Sequence, residues 1–598
     1  MKTLLAFLIG LISIIFFYFI FYRSYILAFG KKFIKTNFRK KTWIIFGAIV
    51  LLGFILCIFS LSKNSFIYYW DYGGYWTYSF DYMDTLYRSP SDGIALLWES
   101  ILNSDYNLIL PLIISLPLKI FGITFSRYVI INYFMFCVPA MFIAFSLFIK
   151  ISKQKKLFSH LAGFLILATF IIPLKAMLMG YIDIAIMIPA VLLLSLIIDY
   201  KSTDSPKRNM AKNISIGLLL VISFLFRRYS AFFLVGLILS FFLVELAKNL
   251  KNTHKNKLLK TNIKQLLLNF SSIGVTTLGT LLIFFSPLVF RVLNDNYSEM
   301  YVGYDTDLIT KIQSIFNYSG WVFIALSSFG FIYSHYKKIN RKIATVSILS
   351  ILFTCILFFR VQRMDPHHFY TILAPIMLLS YLGLYYLLNL KKWILSIPVV
   401  MVILLNPIYF FSTTAQNTLS PIAPLFSAHH EPLVRNDINS LKSLEEYLKN
   451  DTTGSIFVLA SGSILNADIV RSLDKPYKKI AIDRQLTTND VDLRDGFHSD
   501  FLRADLIITT DPIQTHLANN SQEIIRYLAE QIQDPNSYIG KHFEKASATF
   551  ALDSNTTVYI YHKTSEFSHQ DLEQISDYYM ELYPTHPELF KERILQSN

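Results

Sequence analysis

"FIYYWDYGGYWTYSFDYM", residues 66–83, is the stretch on which the fold turns. It follows directly on an apolar run, 43–62, and sets Asp71 among aromatic side chains before the next acid, Asp81. Ionisable groups at the edge of a membrane span are costly, so each one calls for a reason. What Asp71 can do depends on which side of the membrane the stretch faces and on what else converges there.

Composition sets the frame. Of 598 residues, 53% are hydrophobic and 16% charged, against about a quarter charged in an ordinary soluble domain. The apolar residues fall into runs near 3–22, 43–62, 127–149, 159–174, 176–198, 213–226, 229–247, 266–290, 320–336, 344–360, 369–389 and 393–411. These predict twelve spans. The loops between them alternate in charge. Loop 23–42 carries Arg23, Lys31, Lys32, Lys35, Arg39, Lys40 and Lys41 and no acid. Five further basic loops fall on the same side, around 150–156, 201–212, 248–264, 337–342 and 391–392. That side is expected to be cytoplasmic, with both termini outward. The net charge of +14 is then a topology signal, and no nucleic-acid partner is expected. Residues 1–22 read as an added span, because a cleaved leader would put the basic 23–42 loop outside. Cys57, Cys137 and Cys355 each lie inside an apolar run, which gives no disulfide framework or metal site.

Two regions stand out on the outer side. Loop 63–126 opens with acids, and "SDGIALLWESIL" within it predicts a short amphipathic helix capped at Ser91 or Asp92. "LILPLIISLPLKIFG" (108–122), interrupted by Pro111 and Pro117, predicts a segment lying along the membrane interface. In the tail, 412–598, the stretches 455–461, 478–483, 504–510 and 556–562 predict strands, and 436–450 and 521–532 predict helices. "LASGSILNADIV" follows a strand but lacks the spacing of a phosphate-binding loop. The expected architecture is a polytopic α-helical membrane protein with about twelve spans: an extra N-terminal span and basic loop at 1–42, a membrane domain at 43–411, and an extracytoplasmic α/β domain at 412–598.

Other polar residues fall at the same outer face. Asp183 opens a span in "GYIDIAIMIP". Arg227 and Arg228 occupy the tight turn "FLFRRYSAFF". A second turn, "RVQRMDPHHFY" (360–370), holds Arg360, Arg363, Asp365, His367, His368 and Tyr370. Each has a structural alternative. The arginines can anchor helix ends among lipid phosphates, Asp183 can cap a helix or pair with an arginine, and Asp71 can be a turn residue before "GG". The adjacent histidines lack a metal-binding spacing such as H-E-x-x-H. Tyr69, Trp70, Tyr72, Tyr75 and Trp76 suit either an interfacial aromatic belt or stacking on sugar faces.

Several of these stretches resemble the integral-membrane glycosyltransferases of the GT-C superfamily, which include aminoarabinose transferases and protein mannosyltransferases. Asp71, Tyr75 and Met83 match the family's first outer loop in order. Gly122 and Arg127 are similar to its later loop-to-span transition, Asp183 to the span that opens with Asp, and Arg363, Tyr370 and Pro375 to a late span. The likeness covers roughly 43–411. Tyr72 stands where many members carry a second acid, a departure that bears on metal dependence and on any two-carboxylate mechanism. The resemblance implies transfer of a sugar, with inversion, from a polyprenyl-phosphate donor to a glycan, lipid or protein acceptor outside the cytoplasmic membrane. Asp71 would be the general base, and Arg363, Arg228 and Arg227 would meet the donor phosphate. Tyr75, Trp76, Asp84, Asp183, His367, His368 and Tyr370 would line the substrate site. No cofactor is implied, with a divalent metal left open.

Other classes fit part of the pattern. A transporter or flippase predicts repeats and charges at the bilayer midplane, whereas the chain has no repeat and its charges cluster at one face. A lipid-linked polysaccharide polymerase or ligase would place its large outer loop in the second half of the membrane region, and here it lies in the first. A scaffold displaying the tail leaves the polar turns unexplained.

Overall fold

A computed structural model describes residues 2–104, 106–152, 156–251, 256–390, 393–451, 454–473, 484–517 and 521–596. Its contacts divide the chain into two units. One takes Met1–Ser62, Tyr78–Asp295 and Asp307–Pro432, the other Lys63–Thr77, Asn296–Thr306 and Leu433–Asn598.

The first unit is helical and multi-pass. Among the described residues, ten helices from Lys2–Phe29 to Ile394–Phe411 are long and apolar enough to cross a membrane. The pair Leu308–Ser319 and Trp321–Tyr336, a broken span or a re-entrant loop, is apolar enough when taken together and is bent by 92° at Gly320, whose φ of +79° suits a residue without Cβ. The apolar run expected at 176–198 is divided. Leu157–Leu178 takes its start, and a shorter apolar helix, Asp183–Ile198, follows the turn at Gly180 (φ +102°). Apolar side chains left exposed, such as Leu4, Ile12, Ile15, Phe16 and Phe19 on the first helix, are what a lipid solvent requires.

Packing inside this unit relies on small residues, as expected where burying apolar surface gives no advantage over lipid. Tyr370–Asn389 is buried along its length. It lies so close to Trp321–Tyr336 that a Cβ on Gly383 would fall 2.0 Å from the Leu326 carbonyl oxygen, and one on Gly330 2.3 Å from that of Leu379. The Ser327 and Ser380 hydroxyls meet at 2.9 Å in the same seam.

Two local readings are corrected. The amphipathic helix of the outer loop is Pro90–Asn103, flanked by Ser89 rather than capped at Ser91 or Asp92. Proline at the first helical position has its φ preset and lacks the N–H that would be unsatisfied there. The 108–122 segment forms the helix Ile109–Phe121 with Ile109 to Leu118 all buried. It is not laid open on an interface: Gly10 of the first helix approaches its Leu116 and Ser115 side chains.

Among the described residues, the second unit is built on a four-stranded sheet of order β1-β2-β4-β3, with β1 Ile456–Leu459, β2 Leu506–Asp511, β3 Phe543–Leu552 and β4 Thr556–Lys563. β1 and β2 are parallel, and the other pairs antiparallel. Side chains alternate between faces. Ile456, Val458, Leu506 and Ile508 join Leu441, Leu444 and Leu448 of the helix Ile438–Asn450. Phe457, Leu459 and Ile507 join Ile525 and Leu528 of Glu523–Gln533 and Ile575 of His569–Leu582. Cover on both faces explains why the parallel strands read as unbroken apolar runs. Of the expected strands, 478–483 lies outside the described residues. β3 and His569–Leu582 were not among the expected elements.

Candidate active site

Several of the polar residues expected at the outer face come together as a polar knot in the membrane unit. Asp183 starts a single 3₁₀ turn after Gly180, and its side chain is wholly buried. Its Oδ1 lies 2.7 Å from Nε of Arg227, where the helix Pro206–Phe226 ends in extended backbone. The Tyr229 hydroxyl is within hydrogen-bonding distance of both that carboxylate and the His367 carbonyl (3.0 Å). One phenol therefore fastens turn 227–229 to turn 359–369. The Arg227 guanidinium also lies over the rings of Tyr106 and Tyr229, at 5.5 and 5.3 Å, a favourable setting for a cation.

The two histidines are buried in this knot. The His367 ring stacks on Tyr181 at 4.3 Å, and His368 packs edge-on to Tyr229 and against Phe358, both at 4.9 Å. The Asp365 backbone N–H donates to His368 Nδ1 at 3.3 Å. Burial, together with the charge of Arg227, holds both imidazoles well below the usual histidine range, so they are neutral near pH 7. Arg363 is exposed, with Nε 3.3 Å from Asp365 Oδ1. Burial pushes the Asp365 carboxyl up against the pull of Arg363.

Tyr370 is 2% exposed and its hydroxyl donates to the Pro173 carbonyl inside the bundle. With His367 and His368 it shapes the turn rather than opening onto solvent. Asp84 is partly exposed and pairs with Arg88 one helical turn on, at 2.8 Å. Gly122 (φ +95°) precedes the helix Phe125–Asn132, where the Thr124 hydroxyl accepts from the Arg127 N–H. A Cβ at Gly122 would fall 2.3 Å from Arg127 Nη1. Among the described residues, no three His, Cys, Asp or Glu side chains group as a metal site.

Asp71 belongs to the second unit. It sits in the first turn of the helix Trp70–Arg88, so "GG" lies within a helix and is not a turn. A Cβ on Gly73 would meet the Tyr68 carbonyl oxygen at 2.7 Å. Tyr69 is buried in the core around Leu441 and Val458, with Trp70 and Tyr72 packed against it. These three rings therefore hold the 63–77 segment onto its unit, a use that neither an aromatic belt nor sugar stacking anticipates. Tyr75 and Trp76 are also buried.

Tyr229, Tyr181 and Arg291 are not singled out by the sequence. Tyr229 directly follows the arginine pair, and that adjacency was the available signal. Arg291 donates to the Leu102 and Ser104 carbonyls at the end of Pro90–Asn103, satisfying acceptors that a helix C-terminus leaves open.

The sequence matches no family model and no curated relative. Two solved structures are similar in overall extent. One is ArnT from Cupriavidus metallidurans bound to undecaprenyl phosphate, 8% identical, with 87% of this chain and 98% of that chain covered at a TM-score of 0.44. The other is the Archaeoglobus fulgidus oligosaccharyltransferase in complex with Zn and sulfate, 12% identical, covering 88% and 73% at 0.41. The likeness is broad and loose.

Proposed function

We propose that the chain is a GT-C-type glycosyltransferase of the cytoplasmic membrane, taking a sugar from a polyprenyl-phosphate donor to an acceptor on the outer side. The acceptor class is a cell-wall or surface glycan, teichoic acid, lipid or protein. The observation that carries the reading is the polar knot. Asp183, Arg227, Tyr229 and His367 fasten two turns on the side opposite the basic loops, and one of those turns presents the exposed Arg363. Buried polar networks at membrane depth are expensive and tend to mark functional sites.

The expected sidedness supports a lipid-carried donor. Nucleotide sugars are held in the cytoplasm, so an outward site needs a donor carried by lipid. In the reaction, an acceptor hydroxyl attacks the anomeric carbon and gives its proton to Asp71. The bond from that carbon to the phosphate oxygen breaks, and the lipid phosphate leaves with the electron pair. Inversion follows from a single displacement. Asp71 lies in the first turn of a helix, where the dipole favours an ionised carboxylate, the form a base requires. Arg363 and Arg228 neutralise the leaving phosphate, while Arg227 is committed to Asp183 and shapes the turn.

The test is sugar transfer by the purified protein in proteoliposomes supplied with radiolabelled undecaprenyl-phosphate hexoses and pentoses. Release or transfer of label from a lipid donor, and none from nucleotide sugars, is the expected result. Use of nucleotide sugars with no use of any lipid donor would overturn the proposal.

A further inference from the structure

The helix carrying Asp71 begins under constraint. The Tyr69 carbonyl accepts the N–H groups of Tyr72 (3.0 Å) and Gly73 (3.2 Å), so Tyr69 stands where a helix usually has Ser, Thr, Asp or Asn to cap its open N–H groups. Tyr69 offers no such oxygen, because its ring is buried in the core. The oxygen comes instead from far along the chain: the Trp70 N–H donates to Oδ2 of Asp468 at 2.9 Å. Trp70 itself has φ +45°, an uncommon conformation for a bulky residue, which persists only where the surroundings impose it.

Those surroundings are the loops that follow β1 and β2. Asp468 lies in the short helix Ala467–Ser472, and the Ser472 hydroxyl reaches the Tyr68 carbonyl at 3.4 Å. The Trp70 ring lies 4.4 Å from the His516 ring. His516 is held in turn. Its Nδ1 is 2.9 Å from the Ser461 carbonyl, its N–H donates to Gln522 Oε1 at 2.7 Å, and its Nε2 is 3.2 Å from the Tyr304 hydroxyl. Backbone and ring of Trp70 are thus both fixed by the residues that follow the parallel strands.

We propose that Asp468 and His516 are positioning residues for Asp71: by clamping Trp70 they fix where its helix starts, and so where the carboxylate stands. The proposal rests on Asp71 being the base. It gives the C-terminal unit a part in the reaction, as the frame on which the base is set. Displacement of a catalytic group by about 1 Å can cost about a hundredfold in rate, so the clamp bears on turnover more than on donor binding.

The test uses the full chain. Hydrogen exchange at the Trp70 amide is read by mass spectrometry in detergent. Turnover of an undecaprenyl-phosphate sugar that the wild type uses is read in proteoliposomes. Asp468→Ala is expected to speed exchange at Trp70 about tenfold or more and to lower kcat at least tenfold, with the donor KM held within twofold. Asp468→Asn, which keeps an acceptor oxygen, should restore most of both. His516→Phe, which keeps a ring against Trp70, should lose less than His516→Ala. Wild-type exchange at Trp70 in Asp468→Ala overturns the clamp whatever the transfer assay returns. Faster exchange with unchanged kcat overturns its role in positioning. Full turnover by Asp71→Asn defeats the base assignment itself, a separate failure, because the exchange result still reports on the clamp.

Discussion

Nε of Arg227 lies 2.7 Å from Oδ1 of Asp183, and the carboxylate is fully buried. Neither charge is easily kept without the other. Taking one partner from a buried pair leaves an uncompensated ion, at a cost of about 3–5 kcal/mol, whereas replacing both together can be nearly neutral. The pair therefore belongs to the framework of the two turns.

Asp183→Ala is expected to lower the thermal unfolding temperature of the detergent-solubilised protein by a margin that corresponds to about 3–5 kcal/mol. The double variant Asp183→Asn with Arg227→Gln should recover at least half of that loss. Strictly additive losses would show that the two side chains do not depend on each other.

Topology is open to a direct check. Cysteines introduced singly at Ser91 and Ser521 should react with a membrane-impermeant thiol reagent in intact cells if, as the positive-inside bias predicts, the basic loops lie on the opposite, cytoplasmic side. The native Cys57, Cys137 and Cys355 are buried and give little background. Protection of both introduced cysteines until lysis would reverse the sidedness and remove the reason for a lipid-carried donor.

Arg363 separates an anchoring arginine from a ligand-binding one. A residue that only reaches for lipid phosphates is replaced well by lysine. A guanidinium that grips a phosphate with paired hydrogen bonds is not. Arg363→Lys is expected to raise the donor KM about tenfold, equivalent to about 1.4 kcal/mol, with membrane insertion unchanged. Wild-type kinetics for lysine at both 363 and 228 would move the phosphate contact elsewhere.

The second unit carries a pH signature. Burial pushes the Asp490 carboxyl up to about 7, against the pull of Arg494 and with Asp495 and Asp468 adding to the rise. A carboxyl raised in the fold binds more protons there than in the unfolded chain. Its contribution to stability is therefore fully present at low pH and is lost as pH climbs from about 4 to about 7. His498 and His516, held low by burial, act in the opposite sense, so the informative quantity is a difference between variants. The stability of Asp490→Asn relative to wild type should rise between pH 4.5 and 7.5 and then level off, as read by thermal unfolding of the full chain. A difference independent of pH would contradict the raised carboxyl.

What the sequence disclosed follows from how local each signal is. The spans are long apolar runs, and β1 and β2 are short ones because both of their faces are covered. Asp183 stood out because an ionisable residue at a span end needs a reason. Pairing with an arginine is one of the readings the sequence leaves open for it, but which arginine is a matter of three dimensions. Tyr229 joins two turns through one hydroxyl and follows no periodicity. The rings around Asp71 were plain in the sequence, yet the core that receives Tyr69 is supplied by residues such as Leu441 and Val458, far along the chain. β3 gives little signal because its middle runs Glu-Lys-Ala-Ser-Ala-Thr, without large apolar residues, a weak pattern proper to an edge strand.

The central claim is that Asp71 removes the proton of the attacking hydroxyl, and one comparison tests it most directly. Wild type and Asp71→Asn are reconstituted side by side and supplied with the same undecaprenyl-phosphate sugar and acceptor, after chromatography and thermal unfolding have shown that both fold alike. Loss of a placed base typically costs about 10²–10⁴-fold. The account predicts a fall in kcat of that size with donor binding retained. Turnover by Asp71→Asn within a few-fold of wild type would contradict it.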